Sequence, residues 1–87
     1  MKYADTRPYA DPEKAARKLL EIANATEAVQ DGRIHLEPVN RQFLYTEGAS
    51  PAEYLAALNF AIERGWLWQH PSKTYVKFTQ AGAELFA

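Results

Sequence analysis

The chain has 87 residues, of which 47% are hydrophobic and 24% charged, and its formal net charge is −1. This composition is typical of one soluble globular domain, and it excludes a disordered tail, a fibrous repeat and a strongly basic or acidic arm. No apolar run approaches the roughly 20 residues of a transmembrane helix, and no signal peptide is evident, so we expect a cytoplasmic protein. Cysteine is absent, which excludes disulfides and thiolate metal sites.

The first predicted element is a long helix. We expect residues 1–10 to form a flexible N-terminal arm and residues 11–87 to form the domain. Asp11 and Pro12 supply an N-cap and a first helical residue, the chemistry that begins a helix. Apolar side chains then recur at helical spacing, so we predict a helix over residues 12–30.

A short strand and a second helix follow. Residues 33–37 alternate between polar and apolar side chains, which predicts a strand that must pair with a later one. Pro38 stands where a first helical residue would, and the apolar face after it ends at Gly48. We therefore predict a second helix of about ten residues.

Three signals coincide at the start of the third helix. Ser50 is a suitable N-cap, a proline follows it, and Glu53 completes a capping box. Gly65 closes this helix. We predict that its buried stripe consists of Leu55, Leu58, Ala61 and Ile62.

Two β-prone runs, residues 66–69 and 74–78, flank a short loop that contains proline and serine. This pattern predicts a β-hairpin. Trp66 and Trp68 alternate onto one face of the first strand. We expect that face to pack against the helices.

The last predicted element is a short helix. Thr79 can cap it, and the helix is expected over residues 80–86. We expect Leu85 and Phe86 to return to the core.

The order of these elements resembles the winged helix-turn-helix family. The resemblance rests on residues 33–36 before helix 2, on residues 61–67 at the end of helix 3, and on the Thr-x-x-Gly-x-x-Leu pattern within residues 78–86. The layout is similar to that of small bacterial regulators of the multiple-antibiotic-resistance and phenolic-acid repressor types. The resemblance implies an α+β domain with a three-helix core, a short strand, a C-terminal β-hairpin and a short last helix.

The resemblance also implies DNA binding, with helix 3 in the major groove and the hairpin tip near a phosphate backbone. The groove-facing positions would be Ser50, Ala52, Glu53, Ala56, Ala57 and Phe60. Three alanines, an acid and an aromatic ring are poorly suited to reading bases or holding phosphates. We therefore expect a weak, phosphate-dominated contact with double-stranded DNA, made by the candidates Arg41, Ser50, Arg64, His70, Ser72, Lys73 and Lys77.

An alternative is that the same fold serves protein–protein contact without binding DNA. Small residues surround one aromatic ring on helix 3, a composition that resembles an interface. The interface candidates are Ile22, Ala52, Ala56 and Phe60. Tyr3 and Tyr9 of the N-terminal arm are equally able to cover that face. In either case we expect a monomer or a weak homodimer.

We expect no enzymatic activity, no cofactor and no metal. His35 and His70 are the only imidazoles, and they lack the spacing of a ligand pair. Ser72 lies beside His70, but no acid is placed to orient the imidazole. The four glycines are isolated, so no glycine-rich phosphate loop exists.

Overall fold

The fold is α+β, as the sequence predicts. The computed structural model describes residues 8–26 and 32–86. Within those ranges the elements are a 3-10 turn (Pro8–Ala10), α1 (Pro12–Ala25), β1 (Ile34–His35), α2 (Leu36–Arg41), a π-helical turn (Gln42–Thr46), α3 (Pro51–Glu63), β2 (Leu67–Gln69), β3 (Tyr75–Phe78) and α4 (Gln80–Glu84). None of the helices in these ranges is long and apolar enough to cross a membrane.

The three strands form one antiparallel sheet in the order β1-β3-β2. The predicted strand before helix 2 therefore does pair with a later one, but it is only two residues long. The backbone N–H of Leu36 donates to the carbonyl of Thr74 at 2.9 Å, and α2 then begins at Leu36 rather than at Pro38. Pro38 fits this earlier start because the first turn of a helix has no partner for its N–H groups.

Helix α1 begins as predicted and ends earlier than predicted. The Asp11 carboxylate accepts a hydrogen bond from the Glu13 backbone N–H at 3.0 Å. The helix ends at Ala25 because Thr26 adopts an extended backbone, and the Thr26 hydroxyl donates to the Ile22 carbonyl at 2.7 Å. Threonine side chains compete with the helix for backbone groups in this way. The predicted continuation over residues 27–30 falls outside the described residues.

The core lies between α1, α2, the π-helical turn, α3 and the inner face of the sheet. Its completely buried large side chains are Leu19, Leu20, Val39, Phe43 and Val76. Helix α3 begins with the predicted capping box, and Leu58 and Ala61 of the predicted stripe are buried. Tyr54 and Ala57 complete the buried stripe, whereas Ile62 is only partly buried. Leu55, predicted to be buried, is 56% exposed. The buried face of α3 is rotated toward Tyr54, whose ring packs 6.3 Å from that of Phe43 in the core.

The hairpin forms as predicted, but its two tryptophans separate. Trp66 is buried, whereas Trp68 is 46% exposed. Trp66 precedes β2, so strand alternation does not govern it, and Leu67 is the β2 residue that enters the core. The expectation that both indoles face the helices is therefore wrong.

Helix α4 is shorter than predicted. The Thr79 hydroxyl caps it by accepting from the Gly82 N–H at 3.0 Å, and the helix ends at Glu84. Leu85 and Phe86, expected in the core, are each more than a third exposed. They lie at the edge of the fold, where the Phe86 ring meets that of Phe78 at 5.9 Å between centroids.

Candidate nucleic-acid interface

The hairpin loop is ordered by its own side chains. The Ser72 N–H donates to Nδ1 of His70 at 3.0 Å, and the Ser72 hydroxyl lies 2.8 Å from the same nitrogen. That hydroxyl also lies 2.7 Å from the hydroxyl of Thr74. The predicted candidates His70 and Ser72 are thus adjacent, and their polar atoms fix the loop shape.

Lys73 lies in this loop in a left-handed backbone conformation. Its φ is 63°, and among the described residues it is the only non-glycine with a positive φ. The Lys73 N–H donates to the His70 carbonyl at 2.8 Å, which closes the turn. Residues other than Gly, Asn and Asp are uncommon in this left-handed region of backbone conformation. The turn therefore holds an exposed ammonium group at a position where glycine would be easier to accommodate.

The candidate cations divide into paired and unpaired groups. Arg41 lies 3.5 Å from the Glu37 carboxylate, and Arg64 lies 3.7 Å from that of Glu13. Within the described ranges, neither Lys73 nor Lys77 has a carboxylate at ion-pairing distance. Both unpaired lysines belong to the hairpin. The hairpin therefore carries positive charge that no carboxylate neutralises.

Lys77 belongs to a set of aromatic and basic side chains that share the solvent side of the sheet. Ladder pairing sets His35 opposite Tyr75, and Trp68 opposite Lys77. Arg33 precedes His35 by two residues and His70 follows Trp68 by two, so alternation brings both to the same side. We call this set the outer sheet face; it consists of Arg33, His35, Trp68, His70, Tyr75 and Lys77.

The rings of the outer sheet face contact one another. The His70 and Tyr75 rings stack with centroids 4.6 Å apart, and the guanidinium carbon of Arg33 lies 5.4 Å from the Tyr75 centroid. The Trp68 ring meets the His70 ring edge-on at 5.9 Å, and the Lys77 ammonium lies 6.0 Å from the indole centroid. Tyr75 is thus covered by its neighbours, while Trp68 remains 46% exposed.

Sequence reasoning selected two members of this face, His70 and Lys77, as contact candidates and did not select Arg33, His35, Trp68 or Tyr75. The alternation of Trp68 with Trp66 predicts a core position for both indoles. The available signal was the pairing of the short first strand with the last strand, which brings His35 beside Tyr75. Residues 33–37 and 74–78 both show the alternation of a strand, but only the structure shows which residues pair across the two strands.

The exposed face of α3 carries little polar chemistry. Ser50 accepts from the Glu53 N–H at 3.1 Å and its own N–H donates to Glu53 at 2.9 Å, so the hydroxyl of this DNA-contact candidate caps the helix. Ala52 and Ala56 are exposed, as the resemblance implies. Ala57 is fully buried and is not groove-facing, because α3 turns it toward α1.

Two interface candidates are less accessible than expected. Ile22 is only 3% exposed because it packs in the core, so it cannot meet a partner. Phe60 is half-buried: its ring lies 5.8 Å from that of Trp66, and the Arg64 guanidinium carbon lies 4.5 Å from its centroid. Tyr9 does not cover this patch, since it packs against Phe43. Tyr3 lies outside the described residues.

A groove of about 580 Å³ lies between α2, α3 and the hairpin loop. Leu36, Tyr54 and Leu58 contribute its apolar lining, and Lys73 lies at the rim. The Asn40 side chain also lines it, with a buried amide oxygen that has no hydrogen-bond partner among the described residues. The groove connects the exposed side of Leu55 with the hairpin loop.

No group of three or more metal-ligating side chains occurs in the part of the chain that the structure describes. The proximity of Ser72 to His70 belongs to the loop network described above. No family model, no curated protein and no solved structure matches this chain.

Proposed function

We propose that this chain is a winged-helix nucleic-acid-binding module that contacts the backbone of duplex DNA weakly, through its hairpin. The observation that carries the proposal is the pair of unpaired lysines, Lys73 and Lys77, on a hairpin whose solvent side has aromatic rings and no acidic residue. Lysine and arginine side chains of this kind bind phosphates. This attraction between protein cations and phosphates is the main source of non-specific affinity for nucleic acid.

The topology supports the winged-helix assignment. A helix, a short strand and two further helices precede a hairpin, and β3 lies between β1 and β2 in the sheet. In winged-helix proteins the hairpin stands beside the third helix and can reach a phosphate backbone. Here the loop residues Lys73 and Thr74 share a groove with Leu55 of α3.

The proposal assigns α3 no role in reading sequence. Its exposed positions include Ala52, Leu55, Ala56 and Asn59, and only the last has a base-reading side chain. Arg64 at its C-terminal end is ion-paired with Glu13. Binding through the hairpin is therefore expected to be weak and nearly independent of sequence.

Anisotropy of a labelled duplex of about 20 base pairs tests this proposal. Two phosphate contacts predict that log K falls against log salt with a slope near −1.8 between about 50 and 200 mM. The double variant Lys73→Gln/Lys77→Gln should lose most of the affinity and most of the slope.

The control of equal charge is Lys14→Gln/Lys18→Gln, which removes two positive charges from α1, one of them ion-paired with Glu21, and should retain the parent's binding. Failure of the parent to bind at low salt would contradict the proposal. Equal losses in the two double variants would also contradict it, because that result assigns the affinity to overall charge.

A second candidate function, protein–protein contact through α3, is favoured by one specific observation. Leu55 is 56% exposed, and the nearby Ala52 and Ala56 of the same helix are exposed as well. Contiguous exposed apolar patches that are depleted of charged residues are a feature of interaction sites. A second copy of the chain is the partner that can be tested directly.

Sedimentation at about 10 and about 500 μM brackets the affinity of a small interface. Self-association through this face predicts that the weight-average mass rises with concentration and that Leu55→Lys abolishes the rise. A mass that stays monomeric at the higher concentration would exclude the second copy as the partner.

A further inference from the structure

We infer that the outer sheet face is a binding surface for single-stranded nucleic acid, with a base stacked on Trp68 and the adjoining phosphate held by Lys77. The inference rests on the proposed contact between the hairpin and nucleic acid, and it specifies the form of nucleic acid that this surface fits.

The free ring surface is the first reason. Tyr75 is covered by His70 at 4.6 Å and by the Arg33 guanidinium at 5.4 Å, so these side chains form an ordered support. Trp68 contacts the His70 and Tyr75 rings edge-on, at 5.9 and 6.3 Å, and is 46% exposed. An indole held in place by its neighbours but open to solvent is a stacking platform that loses little freedom when a ring binds.

Charge complementarity is the second reason. Lys77 lies across the ladder from Trp68, with its ammonium 6.0 Å from the indole centroid. It has no carboxylate partner among the described residues, and none of the six residues of the outer sheet face is acidic. The surface therefore favours an occupant that alternates planar rings with negative charges, which is the repeat of a nucleic-acid strand.

The choice of a single strand follows from base stacking. In a duplex the faces of the bases are already stacked on one another, so they are not available to Trp68. A sheet surface that carries aromatic rings binds bases of unpaired strands, whose faces are free. A duplex would meet only Lys73 and Lys77, through its phosphates.

Labelled oligonucleotides of about ten nucleotides, dT and rU, compared with a duplex of the same length, test this inference by anisotropy at low salt. We expect the single strands to bind about 5- to 150-fold more tightly than the duplex, the contribution of one stacked base. Trp68→Ala should weaken single-strand binding about 5- to 150-fold, the effect of losing one stacked base. The same variant should change duplex binding less than twofold.

Tyr45→Ala is the matched control, because Tyr45 is an aromatic side chain that is 82% exposed and lies outside the outer sheet face. It should bind single strands as the parent does, and Trp68→Phe should retain part of the affinity. The amide spectrum of Trp68→Ala verifies that the variant is folded. Tighter binding of dT or of rU distinguishes a DNA strand from an RNA strand, and either supports the inference.

Single strands that bind no more tightly than the duplex would overturn the inference, as would an unchanged affinity in folded Trp68→Ala. If the duplex still binds with the expected dependence on Lys73 and Lys77, the proposed function survives that failure. If neither form binds the parent, both fail together.

Discussion

Gly82→Ala tests how closely α4 packs on the chain before β2. A Cβ atom added to Gly82 would lie 2.9 Å from the carbonyl carbon of Trp66 and 3.1 Å from its Cα, and closer still to the carbonyl oxygen. Non-bonded carbon atoms settle at about 3.5–4.0 Å. Because the obstructing atoms are backbone, α4 must move away as a unit.

The expected loss follows from what that movement disturbs. The Thr79 N–H donates to the Trp66 carbonyl at 3.1 Å, a bond whose loss is worth about 0.5–1.5 kcal/mol. Overpacking adds about 1–3 kcal/mol. The higher helix propensity of alanine offsets about 1 kcal/mol of this loss in the free energy of unfolding. The net prediction is a loss of about 2 kcal/mol in the free energy of unfolding, or about 8–16 °C in Tm for a domain of this size.

Thermal and urea unfolding followed by circular dichroism measure this loss. Ala83→Gly is the control, because Ala83 is exposed on the same helix and its change should cost only the propensity difference of about 1 kcal/mol. Helix propensity alone predicts that Gly82→Ala stabilises the protein, so the two explanations differ in sign. A variant as stable as the parent would refute the close packing of α4 on Trp66.

Three further predictions concern stability. Trp66→Ala should lower the free energy of unfolding by about 3–5 kcal/mol, as truncation of large buried aromatics does, and denaturant titration would show a much smaller loss if the ring did not pack in the core. Ser50→Ala should cost about 1 kcal/mol by removing the N-cap bond of α3, measured in the same way; no loss would mean that the capping box contributes nothing. Partial burial, the hydrogen bond to Glu47 and the negative charge of the Glu47 carboxylate together raise the pKa of Tyr9 to about 12. Folded Tyr9 therefore keeps its proton above pH 10, where unfolded tyrosine loses it, so this contribution to stability is complete below about pH 10 and declines toward pH 12. In Tyr9→Phe that part of the decline should disappear, and an absorbance titration should show one late-ionising phenol fewer; an unchanged titration would contradict the assignment.

Local signals in the sequence predicted the starts of α1, α3 and α4, whereas α2 begins two residues before the predicted Pro38. Each of the caps at Asp11, Ser50 and Thr79 bonds to a backbone N–H no more than three positions further along the chain, and all three bonds are present. Helix ends and buried faces depend on distant partners. The inward turn of Tyr54 depends on Phe43, and the exposure of Trp68 depends on where β2 begins.

The sequence was sufficient to locate the lysines of the candidate site, but it did not show which aromatic rings come together there. Lys73 and Lys77 could be assigned to a hairpin from turn chemistry alone. The contact between the Tyr75 and His70 rings requires the loop to fold back, and the approach of His35 requires pairing of strands about forty residues apart in sequence. Ion pairs such as that between Arg64 and Glu13 also join separate helices, so sequence spacing gives no indication of which cations are neutralised.

The two tryptophans, two positions apart in the chain and opposite in exposure, provide the protein with a pair of intrinsic optical reporters. The buried indole of Trp66 should emit at shorter wavelength and resist an aqueous quencher such as iodide, whereas that of Trp68 should emit further to the red and be quenched readily. Unfolding would merge the two populations, while occupation of the outer sheet face would change only the accessible one. One emission spectrum, recorded with and without quencher, can thus separate loss of the core from events at the surface.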